Sequence, residues 1–441
     1  MRRRTHLVAL CVVVAMLSLV ACGEKKAEEA KTIRIGIAGP MQFIQGEHHW
    51  NGASLAAKEI NKTGVKVGEE TYKIKVVKID TNEIQNASDA ATAVEQAITG
   101  KKVDFLMGGF RTEAVTPMTE IAADNKMIFM IAGSATDELL KGRVDTDYAR
   151  WKYLFRVTPV RSTDLAKLSV ILLTDVVAGV RKEFGVAKPK VAILAEQLTW
   201  NEKLITSVQQ IVQAAPPKGL GCELVGTWRP SATATDVTAE LNAIAAKGAH
   251  VIYTANSGPV GVPAGRDYGR LKIPAAMVGI TVEAQDSEWP TKTGGMGDYV
   301  ATLQTYAPVK ITDKTIPFYN AYMKEYGKPP AYTAGTYEGI YIFKDAIERA
   351  GKLDSDSVVK ALETTDYAGA AGRIKFDALH DITWGPGLVT ALGIQWQEGK
   401  MQTFWPLQWK PDAVNKPDLV VGYEGVVPFK FPTWMVEALK K

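Results

Sequence analysis

Short apolar runs alternate with longer amphipathic stretches over the first 131 residues of the chain. The apolar runs at residues 33–38, 72–79, 103–107 and 127–131 predict strands. Helical spacing between them predicts helices over residues 52–61, 86–100 and 112–125. Continuously apolar strands separated by helices are typical of βαβ units, in which a parallel sheet is covered on both faces.

The same alternation recurs in a second segment of similar length. It predicts helices over residues 162–184, 200–214, 235–247 and 261–271, and strands over residues 190–195, 223–227, 251–255 and 275–279. Hydrophobic cores rarely grow beyond about 250 residues, so two lobes explain the repetition better than one large sheet. The predicted fold class is therefore α/β, with two doubly wound lobes and mainly parallel sheets.

The last third of the chain changes character. Three helices are predicted over residues 315–326, 334–350 and 355–365, and a strand over residues 372–377. Two runs at residues 388–396 and 401–405 flank Gly399 and predict a hairpin. Residues 411–441 are rich in proline and aromatic side chains, and we expect them to form an irregular coat on one lobe.

The N-terminus has the three parts of a secretory signal in order. Arg2, Arg3 and Arg4 precede an apolar run at residues 7–20, which is too short to span a bilayer comfortably. Cys22 follows a small residue, as in a bacterial lipobox. We expect residues 1–21 to be a lipoprotein signal peptide, Cys22 to be lipidated, and residues 22–31 to be a polar tether; the alternative is a plain signal peptide with an incidental cysteine.

The leader accounts for most of the net charge of +4, because without its three arginines 49 basic residues face 48 acidic ones. The rest of the chain is nearly neutral, so it lacks the excess of basic residues that is typical of nucleic-acid-binding proteins. Of the three cysteines, Cys11 leaves with the leader and Cys22 is acylated, so the exported chain would contain no internal disulfide. Cys222 enters an apolar strand and is predicted to be a small buried residue rather than a nucleophile.

The motifs of common catalytic sites are missing from the sequence. It contains no phosphate-binding loop and no G-x-S-x-G nucleophile motif. The five histidines have no spacing suited to a metal, and the adjacent His48 and His49 are predicted to lie at the surface or at a pocket rim. Glu196 and Glu283 could act as acid and base, but no spacing marks a catalytic pair. We therefore expect no enzyme activity, no metal and no cofactor.

Polar side chains collect in the loops that follow the predicted strands, where open α/β sheets bind ligands. These loops are residues 40–46, 108–113, 132–137, 196–200 and 280–283. Thr112 at a helix N-terminus, Ser134 and Thr136 could bind an anion, and Arg111 could grip a carboxylate with two hydrogen bonds. The alternatives are that the hydroxyls only cap helices and that Arg111 is solvated.

Several segments at these loops resemble the type I periplasmic binding proteins of ABC transporters, specifically the branched-chain amino acid group. They are IGIAGPM, WNGASLAAKEIN, FLMGGFRTEAVTPMTEIA, MIFMIAGSATDEL, YLFRVTP, VAILAEQLTW and TYEGIYIFKDAI, and the similarity runs over residues 31–409. The resemblance implies two lobes joined by a hinge of three crossovers. One lobe would comprise residues 31–157 and 306–377, and the other residues 158–305 and 378–441.

The resemblance also implies a binding site in the cleft between the lobes. Family members hold the carboxylate and ammonium of an amino acid with hydroxyls and backbone groups. The matching positions in the first lobe are Thr112 and the segment Ser134, Ala135 and Thr136. Trp200 would cover the ligand, and Phe43 and Gln45 would line its side-chain pocket. The acid that pairs with the ammonium would fall near Ile280, and Glu283 is the nearest candidate.

The expected function is that of a lipid-anchored solute-binding protein of an ABC importer, at the periplasmic or outer face of a bacterial membrane. Its ligand would be an amino acid or a related small carboxylate, and its partners would be an ABC permease and ATPase. We expect a monomer that binds no nucleic acid. The alternatives are a ligand-sensing partner of a receptor or regulator, a binder of an aromatic or dicarboxylic acid, an exported enzyme and a structural lipoprotein.

Overall fold

A computed structural model describes residues 31–385, 387–406 and 423–440. The predicted signal peptide at residues 1–21, Cys22 and the tether up to residue 30 lie outside the described residues. Within the described part, no helix is both long and apolar enough to cross a bilayer.

The first sheet is built by the N-terminal segment of the chain. Its elements are β1 (Thr32–Gly39), α1 (Ile44–Ile60), β2 (Val65–Val67), β3 (Glu70–Asp80), α2 (Asp89–Thr99), β4 (Phe105–Gly108), α3 (Thr112–Asp124), β5 (Phe129–Ile131), α4 (Tyr148–Trp151) and β6 (Leu154–Arg156). The strand order is β2-β3-β1-β4-β5-β6, and every pair except β2 with β3 is parallel. The predicted buried parallel sheet is confirmed.

The second sheet follows in the chain. Its first elements are α5 (Ser162–Phe184), β7 (Lys190–Ala195), α6 (Glu202–Gln213), β8 (Glu223–Trp228), α7 (Thr238–Ala246), β9 (Val251–Asn256), α8 (Gly261–Arg270), β10 (Ala276–Thr281), α9 (Trp289–Lys292) and β11 (Ala301–Gln304). The rest of the described chain, which contributes to both lobes, forms α10 (Thr315–Tyr326), α11 (Thr336–Ala350), α12 (Ser355–Glu363), β12 (Tyr367–Ala368), β13 (Arg373–Ile374), β14 (Leu392–Gln397), β15 (Lys400–Trp405) and α13 (Thr433–Leu439). The second sheet has the order β15-β14-β11-β10-β9-β7-β8, and β14 runs antiparallel to both of its neighbours, β11 and β15.

The chain passes between the two sheets three times. It leaves the first sheet after β6, returns after β11 to form α10, α11 and α12, and re-enters the second sheet at β14. Helices α10 and α11 pack against α1, so they cover the first sheet. The first sheet with its helices is the first lobe, and the second sheet with its helices is the second lobe. The assignment of residues 377 and 378 to different lobes stays a prediction.

Helix α1 begins eight residues before its predicted start at residue 52. Its first two turns contain buried polar residues, among them Gln45, His48 and His49, and these hide the apolar period that marks a helix. The predicted loop at residues 40–46 is therefore shorter than expected, and Gln45 lies on a helix. The strand predicted over residues 372–377 is also wrong in length, because β13 comprises only Arg373 and Ile374, and Phe376 forms an isolated bridge with Ile382.

The C-terminal segment is not wholly irregular. Residues 407–422 lie outside the described part, but α13 is a regular helix that was not predicted. Trp434 donates its indole N–H to the carbonyl oxygen of Ile273 at 2.7 Å, so the segment packs on the second lobe. Cys222 is a buried free thiol, as predicted.

The prediction that His48 and His49 lie at the surface or at a pocket rim is wrong, since both are fully buried and neither lines the cavities described below. The Nδ1 atom of His48 lies 2.5 Å from the hydroxyl of Tyr322, and the Nε2 atom of His49 lies 3.0 Å from the carbonyl oxygen of Ala132. Burial lowers the pKa of His48 to about 3 and that of His49 to about 4. Both rings are therefore neutral in the folded protein.

This burial predicts an acid-sensitive contribution to stability. An unfolded histidine has a pKa of about 6.5, so the unfolded chain binds more protons as the pH falls from about 6.5 to 4. The stability from the neutral rings is complete above this window and is lost within it. In His49→Gln, the fall in melting temperature between pH 7 and pH 4 should be smaller than in the wild type. An equal fall in both proteins would contradict the prediction.

A cleft between the two sheets

A cavity lies between the loops at the carboxyl ends of the two sheets, and its empty space, including the solvent at its mouth, is about 690 Å³. Its walls come from both lobes: Phe110, Arg111, Glu113, Gly133, Ala135, Pro159, Leu165, Leu198, Trp200, Ser257, Ile280, Val282, Gln285, Leu303, Gln304, Thr305, Tyr332 and Ala391. Three of the predicted site residues, Arg111, Ala135 and Trp200, are in this wall. Most of the wall is apolar, so a ligand with an apolar body would fit it.

Three of the predicted hydroxyls form one cluster beside the cavity. The Oγ1 atom of Thr112 lies 3.2 Å from the Oγ atom of Ser134 and is also hydrogen-bonded to the hydroxyl of Thr136. All three residues are buried. Thr112 is the first residue of α3, and neither α3 nor the short helix after Thr136 has a side-chain cap. These hydroxyls therefore do not serve as helix caps, which was the alternative interpretation.

The buried side chain of Arg156 binds the backbone of the segment that carries two of these hydroxyls. Arg156, at the end of β6, donates from Nη2 to the carbonyl oxygen of Thr136 at 2.9 Å and from Nη1 to that of Ser134 at 3.3 Å. Its Nε lies 3.2 Å from the Oδ1 atom of Asp381, and both side chains are almost completely buried. The sequence analysis did not identify Arg156, because nothing in its local pattern marks it as different from the surrounding strand.

Arg111 is not a solvated residue at a helix start. Its side chain is 19% exposed and forms part of the cavity wall. One guanidinium nitrogen donates to the carbonyl oxygen of Ile84 at 3.4 Å, and Nε lies 3.7 Å from Glu113. Within the described residues the Nε–H has no hydrogen-bond acceptor. The guanidinium therefore retains donor capacity at the edge of the cavity.

Two buried glutamates fix the loops that form the cavity. Glu83 follows β3, and its Oε2 accepts the backbone N–H groups of Phe110 and Arg111 at 3.1 and 2.6 Å. Glu196 follows β7 and accepts the N–H groups of Ser257 and Gly258 at 2.6 and 2.8 Å. Burial raises the pKa of Glu83 to about 7 and also raises that of Glu196, although the hydrogen bonds that each carboxyl group accepts lower its pKa. Both carboxyl groups are thus fully engaged within the protein.

Trp200 is the tryptophan in the cavity wall, and it is half-buried. Its indole N–H donates to the Oε1 atom of Glu196 at 2.9 Å, so the ring has a fixed orientation. Phe110 faces the cavity from the first lobe. Ile280 and Val282 line it from the second lobe, where the predicted loop begins only after β10 ends at Thr281.

Trp200 should report ligand binding by its fluorescence. The chain contains ten tryptophans, and Trp200→Phe should remove most of the ligand-dependent change because no other described tryptophan lies in the cavity wall. Trp151→Phe is the matched control and should leave the change intact, since Trp151 packs against a core cluster of the first lobe and is not in the wall. A full signal in Trp200→Phe would exclude contact between this ring and the ligand.

Gln45, Glu283 and Phe43 lie outside the cavity wall. Gln45 donates from Nε2 to the carbonyl oxygen of Ser257 at 3.0 Å and lies 3.4 Å from the Oε1 atom of Glu283. Glu283 is buried and pairs with Lys292 at 3.3 Å. Phe43 packs against the core at the start of α1. Gln45 and Glu283 therefore join the two lobes to each other.

Further polar contacts cross between the lobes. Glu113 accepts from the hydroxyl of Thr199 at 2.7 Å, Glu138 pairs with Lys203, and the Oε1 atom of Gln285 accepts the backbone N–H of Tyr332 at 3.1 Å. Burial alone would raise the pKa of Glu113, but the hydrogen bonds from Thr199 and the nearby Arg111 outweigh it, so this pKa is lowered. The lobes are closed around the cavity. Within the described part, no group of three or more potential metal ligands converges.

Comparison with known proteins places this architecture. A family model described as periplasmic binding protein matches residues 32–385. The chain is 21% identical over 417 residues to a Leu/Ile/Val-binding protein homolog 7 from Brucella abortus, covering 91% of this chain and 96% of that protein.

Solved structures agree with this match. A branched-chain amino acid transporter substrate-binding protein from Streptococcus pneumoniae, in complex with isoleucine, aligns with a TM-score of 0.69 at 20% identity, over 84% of this chain and 98% of that one. A solute-binding protein of an ABC transporter from R. palustris, in complex with benzoate, aligns with a TM-score of 0.68 at 17% identity, over 90% and 99%. This chain belongs to the periplasmic binding protein family, with the type I fold of the substrate-binding proteins of ABC transporters.

Proposed function

We propose that this protein is an extracytoplasmic solute-binding lipoprotein of an ABC importer, and that it captures a small carboxylate between two closing lobes. The observation that carries the proposal is the cavity between the sheets, whose wall is mostly apolar and includes Arg111. The hydroxyl cluster of Thr112, Ser134 and Thr136 lies on residues adjacent in the chain to wall residues. The lobes would find the ligand when open, and contacts from both lobes would stabilise the closed form.

The donors beside the cavity suit a carboxylate. The N-terminus of α3 carries about half a positive charge. Thr112 and Ser134 add hydroxyls, and Arg111 adds an Nε–H that no described residue accepts. A planar guanidinium and a helix N-terminus are both favourable partners of a carboxylate.

The acids near the cavity argue for a ligand without an ammonium group. Glu113, Glu196 and Glu283 are each engaged by protein donors, and the wall contains Ile280 where the family resemblance placed an acid. A buried ammonium left without a partner would lose one to several kcal/mol. We therefore propose an aromatic or other apolar carboxylic acid. Structural neighbours from Rhodopseudomonas palustris hold 3,4-dihydroxybenzoic acid and p-hydroxybenzoic acid.

A branched-chain amino acid is the second candidate ligand. Its support is the naming of curated relatives as Leu/Ile/Val-binding protein homologues and the isoleucine held by the Streptococcus pneumoniae neighbour. The two candidates differ in the ammonium group, so one screen separates them.

The proposed partners are an ABC permease and ATPase, and the proposed attachment to the membrane is a lipid on Cys22. Cys22→Ala should move the protein from the membrane fraction to the soluble fraction of the cell. Retention of the variant in the membrane fraction would contradict lipidation as the means of attachment. The protein is proposed to act as a monomer.

The binding proposal is tested by a thermal-shift screen of the protein from residue 23 onward. The panel contains aromatic acids, aliphatic acids, dicarboxylates and amino acids, each carboxylate paired with its primary amide. A ligand at 100 times its dissociation constant adds about 2.7 kcal/mol of stability. We expect stabilisation by apolar carboxylic acids and not by their amides. Stabilisation by no carboxylate in the panel would overturn the proposal, and stabilisation by leucine alone would replace the aromatic acid with the amino acid.

A further inference from the structure

A second cavity lies among the three segments that connect the lobes, and its empty space, including the adjoining solvent, is about 440 Å³. Its wall consists of Val157, Thr158, Pro159, Val160, Leu165, Leu168, Thr305, Tyr306, Glu338, Ala371, Ile374, Ile382, Val389, Thr390 and Ala391. The first crossing supplies residues 157–160, the second supplies residues 305–306, and the third supplies residues 389–391. We call this space the hinge cavity.

One ionisable carboxyl group lies in this mostly apolar wall, and burial raises its pKa to about 7. Glu338 of α11 is 1% exposed. Its Oε1 accepts the backbone N–H groups of Ala370 and of Ala371, the latter at 3.0 Å. Its Oε2 is buried and has no hydrogen-bond partner among the described residues. A buried acceptor without a donor costs free energy, and a bound donor would recover it.

We propose that the hinge cavity is a second small-molecule site, which takes an apolar molecule with a single hydrogen-bond donor directed at Glu338. Most of the wall is apolar, and its polar groups are the carboxyl group of Glu338 and the hydroxyl-bearing side chains of Thr158, Thr305, Tyr306 and Thr390. The site is distinct from the cleft proposed for the transported carboxylate, which presents donors rather than an acceptor.

The position of the hinge cavity couples it to the closing of the lobes. Pro159, Leu165, Thr305 and Ala391 belong to the walls of both cavities. All three crossings change direction when the lobes rotate, so an occupant of the hinge cavity has different contacts in the open and closed forms. A ligand with different affinities for two forms shifts the equilibrium between them.

The test uses 4-fluorophenol as the probe and 4-fluorotoluene as its matched control. Binding of each to the protein from residue 23 onward is measured by the broadening of its fluorine NMR line. The two probes have nearly the same size, but only the phenol carries a donor. We expect the phenol to bind at least tenfold more tightly than the toluene. Equal affinities, or no binding of the phenol at 10 mM, would overturn the proposal.

Three variants locate the bound probe. Val389→Phe fills the hinge cavity and should abolish binding, whereas Ile280→Trp fills only the cleft and should leave it unchanged. Glu338→Gln keeps the acceptor for Ala370 and Ala371 but replaces Oε2 with a donor, so the tenfold preference for the phenol should disappear. Each variant is first checked for a wild-type circular dichroism spectrum, and Glu338→Gln decides the question if Val389→Phe does not fold.

The outcomes separate this site from the proposed transport function. Loss of phenol binding in Ile280→Trp, with binding retained in Val389→Phe, would place the probe in the cleft and overturn the second site. Failure of every carboxylate in the thermal-shift screen would remove the transport proposal but leave the result for the hinge cavity standing.

Discussion

Arg156→Met should destabilise the protein by about 3–5 kcal/mol, the largest effect of a single substitution that we expect. The guanidinium of Arg156 holds the carbonyl oxygens of Ser134 and Thr136 and pairs with Asp381. Removing it leaves a buried carboxylate whose nearest remaining cation, Arg161, lies 4.0 Å away. An uncompensated buried charge carries a cost of this size.

Chemical denaturation of the wild type and the variant measures this difference. The double variant Arg156→Met with Asp381→Leu is the matched control, because it removes both charges and should recover part of the lost stability. A loss of less than about 1 kcal/mol of unfolding free energy in Arg156→Met would show that the pair of Arg156 and Asp381 does not stabilise the loop at residues 132–137.

Thr112→Val should weaken carboxylate binding by about 10- to 100-fold, since the ligand would lose a hydroxyl at the N-terminus of α3. The substitution preserves the shape of the side chain but removes the oxygen that bonds to Ser134 and Thr136. Calorimetric titration with the best acid from the screen measures the change in the dissociation constant.

Thr116→Val is the matched control for this effect. Thr116 lies one turn further along α3, and its hydroxyl donates to the carbonyl oxygen of Thr112 at 2.8 Å instead of joining the hydroxyl cluster. We expect its affinity to stay within about twofold of the wild type. Equal affinities in Thr112→Val and the wild type would exclude the hydroxyl cluster from the carboxylate site.

The sequence pattern predicted the elements of the two sheets well, because buried parallel strands are continuously apolar and easily recognised. Helix α5 and strand β7 begin and end at their predicted residues. The pattern failed at the start of α1, where residues of one lobe face the other. Gln45 is buried by contact with Ser257, 212 positions away, and no local period can reveal such a contact.

The candidate site was predictable in part for the same reason. Loops after parallel strands meet at one edge of a sheet, so the loops that carry the hydroxyl cluster and Trp200 could be located from their positions. The proposed role of Trp200 came from the family resemblance. Glu83 and Arg156 could not, because their roles depend on the backbone groups that the folded loops direct at them. Glu283 was a candidate for the ammonium of a ligand, but Lys292 occupies its carboxylate.

We propose above that the cleft recognises the carboxylate of an apolar solute. The most direct test compares the binding of an acid with that of its own amide. Calorimetric titration of the protein with benzoate and with benzamide holds the shape and the apolar area of the ligand constant while the charge changes. We expect benzoate to bind at least 100-fold more tightly than benzamide. Equal affinities, or tighter binding of the amide, would contradict the proposal.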